Sequence, residues 1–143
     1  MPGASTPDRT EHITRVLIVA QYDIKPGEPS HPKGKSNGYV ISVGGQRIYV
    51  AGVTECVVEV RAPCDINVAL LPMNIPLERM TPAGAAECAN ALQPKAVYIY
   101  HYDQSFAAGR GPSPDNEKSL AAFRAALAKG IEFRQAAWYP LPR

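Results

Sequence analysis

Between Gly38 and His101 the chain alternates β-rich apolar runs with turn and helix signals, and this limits its folds more than any other feature. Tyr39 to Val43 and Arg47 to Ala51 flank Gly44-Gly45-Gln46, where glycine supplies the positive φ that a tight hairpin needs. Asn67 to Leu71 is a continuous apolar run ended by Pro72, the pattern of a strand buried on both faces. Thr81 and Pro82 suit the N-cap and N1 positions of an alanine-rich helix over 83–92, closed by Pro94. Ala96 to Tyr100 is the next strand and delivers His101 at its end.

The flanks extend this frame. Residues 1–12 have no periodicity and read as a frayed tail, leaving 13–143 as one domain. Arg15 to Ala20 is β-branched and predicts a first strand. Gln21 to Asn37 is a long loop rich in Pro and Gly, and such loops often border sites. Glu55 to Pro63 is ambiguous between strand, irregular turn and short helix. A Gly/Pro-rich loop over 104–114 precedes a second helix over 117–128, capped within Ser113 to Asn116. Its apolar face would carry Leu120, Phe123, Ala126 and Leu127, with Gly130 at C′. A last strand starts at Ile131, and Trp138-Tyr139-Pro140 anchors the tail. Strands apolar on both faces and interleaved with helices predict a mixed sheet in a layered α/β domain.

Composition excludes several classes. A formal charge of +2 without a basic stripe gives no footprint for nucleic acid or an anionic membrane. No apolar run is long enough to span a bilayer, and the N-terminus lacks a signal-peptide core. Cys56, Cys64 and Cys88 are odd in number and form no CxxC. They read as small reduced residues in a cytoplasmic protein, not as a disulfide framework. No Ser-His-Asp order, phosphate loop or dinucleotide fingerprint is present, and no cofactor is expected.

Six pieces in order resemble the C-terminal half of metallo-β-lactamase-fold hydrolases. They are His31-Pro32-Lys33 before Gly38-Tyr39-Val40-Ile41; Arg47 to Thr54; Asp65 to Pro72; Met80-Thr81-Pro82; Lys95-Ala96-Val97 leading to His101-Tyr102; and Trp138-Tyr139-Pro140. The resemblance implies half of an αββα sandwich, a mixed sheet with helices on one face. It also implies a metal site whose second-half ligands are an aspartate in a Gly-Asp-Thr turn and a late histidine. Here the turn reads Gly52-Val53-Thr54, the late histidine is His101, and the first-half His-x-His-x-Asp-His cluster does not occur. One histidine cannot hold a catalytic zinc, which needs three protein ligands and an open position. No metal ligand set is therefore assigned, and Glu55 is a displaced substitute for the lost aspartate at best.

A lone half would leave one sheet face, with Val40, Val50 or their neighbours, open to water. The expected remedy is a homodimer related by a two-fold axis, with an N-terminal half from another chain as the alternative. For chemistry, His101 is the expected acid/base, with Tyr102, Asp23 and His31 assisting and Tyr22, Lys33, Thr54 and Glu55 binding substrate. The expected function is a metal-independent enzyme of isomerase, lyase or hydrolase type on a small organic molecule. The alternatives are a non-catalytic ligand- or partner-binding module and a metal-dependent hydrolase completed by another chain.

Overall fold

The computed structural model describes residues 12–24, 31–74, 79–102 and 114–136. The expectations for residues 1–11, for 104–113 and for Trp138-Tyr139-Pro140 lie outside the described residues. In chain order the elements are β1 (Ile13–Gln21), β2 (Ser36–Val43), β3 (Gln46–Val50), α1 (Val58–Arg61), β4 (Val68–Pro72), α2 (Pro82–Leu92), β5 (Ala96–Tyr100), α3 (Pro114–Ala126) and β6 (Glu132–Arg134). The strands lie in sequence order in one mixed sheet. β1, β2 and β3 pair antiparallel, and β3 through β6 pair parallel.

The local signals act as their chemistry requires. Gly44 and Gly45 take φ of 54° and 72°, and their two-residue turn sets Val43 opposite Gln46. The Thr81 hydroxyl accepts from the Gly84 N–H at 3.1 Å, with Pro82 opening α2. The ambiguous segment after Glu55 resolves into α1. Two expectations for α3 are corrected. Ala126 is exposed, because the helix ends there: Asn90 of α2 donates to the Ala126 carbonyl at 3.1 Å and accepts from the Ala128 N–H at 2.7 Å. Gly130, at φ 92°, consequently sits in the turn to β6 and not at C′.

The three helices among the described residues cover one face of the sheet. Val60 of α1, Ala85, Cys88, Ala89 and Leu92 of α2, and Leu120 and Phe123 of α3 bury against Val19, Val40, Tyr49, Ala69, Leu71, Val97 and Ile99. A disulfide joins Cys56 to Cys88 beneath α1, leaving Cys64 as the exposed thiol. This corrects the expectation of reduced cysteines: α1 turns the chain back so that Cys56 meets α2.

The other face is bare of any described element. Register aligns two rows across it, Ile18-Tyr39-Val50-Leu70-Tyr98 and Val16-Ile41-Ile48-Val68-Ala96, ending on Arg134 and Glu132 of β6. Ile18 is 69% exposed and Val16 49%. Val50 belongs to this face as expected, but Val40 does not. Pairing with Tyr49 puts Val40 on the helix-covered side, where it is buried. No helix among the described residues is long and apolar enough to cross a membrane.

Candidate functional site

β1, β3, β4 and β5 point the same way, so their C-terminal ends, and the residues leaving them, gather at one end of the sheet. Tyr22 and Asp23 lie just past β1, Gly52 to Glu55 past β3, Met73 and Asn74 past β4, and His101 and Tyr102 past β5. His31 and Lys33 lie on the approach to β2 at the same end. This convergence places every residue singled out from the sequence at one rim.

Six of them form one network. The Tyr22 N–H donates to the Thr54 hydroxyl at 3.1 Å, and the Glu55 N–H donates to the Tyr22 carbonyl at 3.2 Å. The Glu55 carboxylate accepts from the Ile24 N–H. Asp23 and His31 bind each other through the backbone. The Asp23 N–H donates to the His31 carbonyl at 2.9 Å, and the His31 N–H donates to Asp23 Oδ2 at 3.0 Å. His31 Nδ1 lies 3.5 Å from the same oxygen. Lys33 stacks over the Tyr22 ring, its Nζ 4.7 Å from the centroid, a cation–π geometry.

Two further residues hold this network together, and sequence reasoning missed both. Arg79 is buried with its Nη1 3.2 Å from Asp23 Oδ2 and 3.9 Å from Glu55 Oε2. The Asp23 side chain is 0% exposed, so its carboxylate faces this guanidinium and not solvent. Glu59 of α1 accepts from the Tyr22 hydroxyl at 2.8 Å and from Lys33 Nζ at 2.7 Å. Glu59, in the stretch ambiguous between strand, turn and helix, gave no signal of its own. Arg79, beside the α2 cap, gave no signal.

The hydrogen bond from Lys33, and then that from Tyr22, pulls the Glu59 carboxyl down to about 2. The bond to Glu59 raises Tyr22 and Lys33 in turn. A carboxylate depressed in the folded chain stabilises it above its unfolded pKa, and that contribution fades as pH falls through the folded value. The Lys33-Glu59-Tyr22 clamp is therefore expected to be whole above about pH 4.5 and to open toward pH 2. NMR titration of the Tyr22 ring should show it, and a ring signal that never moves below pH 4 would contradict it.

His101 and Tyr102 stand half-buried at the end of β5, two strands along from β3. His101 takes φ of 70°, a left-handed conformation that non-glycine residues rarely hold without a reason. The preceding Tyr100 hydroxyl donates to the Gly52 carbonyl, and the Met73 N–H donates to the Tyr100 carbonyl at 3.0 Å. These bonds tie the His101 turn to Gly52-Val53-Thr54. Gly52, at φ 76°, lies against Gln21 so closely that a Cβ would strike its amide. Val53 packs against the core, where a carboxylate would meet apolar neighbours. Among the described residues no three His, Cys, Asp or Glu side chains gather in reach of one ion. The described residues at this rim thus do not fit the zinc centre that the resemblance implies.

No protein-family model and no curated protein matches the chain. Solved structures do. A Parabacteroides distasonis protein, provisionally described as a metal-dependent hydrolase, is 33% identical over 84% of this chain and 49% of its own, with a TM-score of 0.67. The metallo-β-lactamase-fold protein YhfI of Bacillus subtilis matches over 93% of this chain and 52% of its own, with a TM-score of 0.55 at 12% identity. The chain is half of a metallo-β-lactamase fold. Igni18, a metallo hydrolase of Ignicoccus hospitalis, matches the same half-fold at 20% identity and a TM-score of 0.52, over 85% of this chain and 48% of its own. At such identities YhfI and Igni18 show the fold alone. The half-fold spans about half the length of all three.

Proposed function

We propose that this half-fold pairs with a second copy through its bare sheet face and performs acid–base chemistry on a small organic molecule without a zinc centre. The observation that carries the assembly is the pair of apolar rows. Six strands about 4.8 Å apart and about five residues long give a face of roughly 400 Å² in projection. A contiguous apolar patch of this order is as large as the largest on a typical monomer, and such patches are often functional. Two such faces stacked about a two-fold axis would restore the two-sheet sandwich.

The chemistry falls to His101, an imidazole at a strand end in a strained backbone conformation. An imidazole can take a proton from a substrate and return it near neutral pH, and the Tyr102 hydroxyl is its nearest neighbour in sequence to assist. Asp23, His31, Thr54 and Glu55 then position the rim, while Tyr22 and Lys33 offer polar edges to a substrate. His101→Ala is expected to lower turnover by about a hundredfold or more, the usual worth of general acid–base catalysis, with little change in Tm. Turnover within a few fold of wild type would assign the rim to binding alone.

The second reading, a metal-dependent hydrolase completed by another polypeptide, is favoured by the 33% identity to the Parabacteroides protein together with His101. Elemental mass spectrometry on protein purified without chelator separates the two. Near-zero zinc, iron and manganese in an active sample supports the first reading. About one metal per chain supports the second.

A further inference from the structure

At the opposite end of the sheet, where β3, β4 and β5 begin, lies a cavity of about 660 Å³. It is walled by Arg47, Arg61, Cys64, Asp65, Asn67 and Lys95, among others, three cations against one acid. Arg61 already bridges Glu87 at 2.7 Å. Arg47 is different. Its backbone N–H is fixed by Asn67 Oδ1 at 2.8 Å, and its carbonyl accepts from the Asn67 N–H at 2.9 Å. Its side-chain Nε is buried with no hydrogen-bond partner among the described residues. An unpaired donor on this half-buried guanidinium is costly, and a bound water or anion is one way to satisfy it. Lys95, on the same wall, has no ion-pair partner among the described residues. Neither residue belongs to the rim around His101, so the cavity is independent of the chemistry proposed for that rim.

We infer that this cavity is a binding site for a small oxyanion, a phosphate or carboxylate group carried by a small molecule, held by Arg47 with Lys95 supplying a second charge. The guanidinium fork matches the oxygens of such groups two at a time, and an ammonium beside it adds charge without demanding geometry. A cavity of this size exceeds what a bare ion fills and leaves room for the rest of a metabolite.

Cys64 supplies the reporter, since it is an exposed thiol on the cavity wall while Cys56 and Cys88 are joined. Labelling of Cys64 with a thiol reagent is measured against rising inorganic phosphate and, separately, citrate, at constant ionic strength. The expected result is saturable slowing of labelling by one or both; phosphate alone assigns a phosphoryl group, citrate alone a carboxylate. Arg47→Gln should raise the half-protecting concentration about tenfold or more, the worth of a charged hydrogen bond. Should Arg47→Gln fail to fold, Lys95→Glu, at an exposed position, should weaken protection similarly. No protection by either anion up to about 50 mM, well beyond the millimolar range of weak binding, overturns the proposal. So does protection unchanged in both variants.

Discussion

Replacing Arg79 with methionine is expected to destabilise the fold by about 3–5 kcal/mol, the typical cost of breaking a buried ion pair from one side. The reason is asymmetry. Burying an ion pair gains little over apolar packing, but removing one partner strands the other charge in a dry interior. Asp23 Oδ2 lies 3.2 Å from Arg79 Nη1 with both side chains at most 1% exposed, so Asp23 would be left with His31 alone. Glu55 would lose its buried cation as well. Urea denaturation measures the loss directly. A double variant, Arg79→Met with Asp23→Asn, should recover part of it, because the stranded charge is gone. A single-variant loss under about 1 kcal/mol, the range of an exposed ion pair, would mean that Arg79 does not hold the rim together.

Reducing the Cys56–Cys88 disulfide is expected to cost about 3–4 kcal/mol, from the entropy of a loop closed across a sequence separation of 32 residues. For a domain of this size that corresponds to a fall in Tm of about 10 °C. The bond also anchors the residue after Glu55 to α2, so its loss should loosen the Thr54-Glu55 turn before the sheet. Thermal melts with and without reductant test the magnitude. Thiol titration of the native, unreduced protein should find one reactive cysteine; three, with a melt unchanged by reductant, would contradict the pairing.

Much of the fold was legible because its signals are local. The Gly44-Gly45 turn, the Thr81-Pro82 cap and the strand leading to His101 each act within a few residues. The face assignment depends on register and not composition, and the expectation that set Val40 beside Val50 on the open face missed it. With Val43 opposite Gln46, Val40 must face Tyr49 and Val50 must face Tyr39, so Val40 and Val50 cannot share a side. Arg79 was invisible, since its meeting with Asp23 and Glu55 exists only after β1, β3 and the entry to α2 converge. The Cys56–Cys88 bond was hidden likewise: an odd cysteine count and the absence of a CxxC say nothing about which pair the α1 turn brings together. Glu59 has the local sequence of an ordinary solvated carboxylate, and only the loop folding back from β1 brings Tyr22 and Lys33 to it. The residues that leave the strand ends can be read from the sequence; Arg79, Glu59 and the bonds that organise the rim cannot.

Whether the bare rows of the sheet meet a second copy is the point on which the proposed assembly stands or falls. Sedimentation equilibrium on the purified chain tests it most directly. The expected result is a stable species of twice the 15.4 kDa chain mass at about 10 μM, reduced to monomer when Leu70→Glu and Val50→Glu place charges at the centre of the face. A cooperatively folded monomer at that concentration, insensitive to both substitutions, would contradict it.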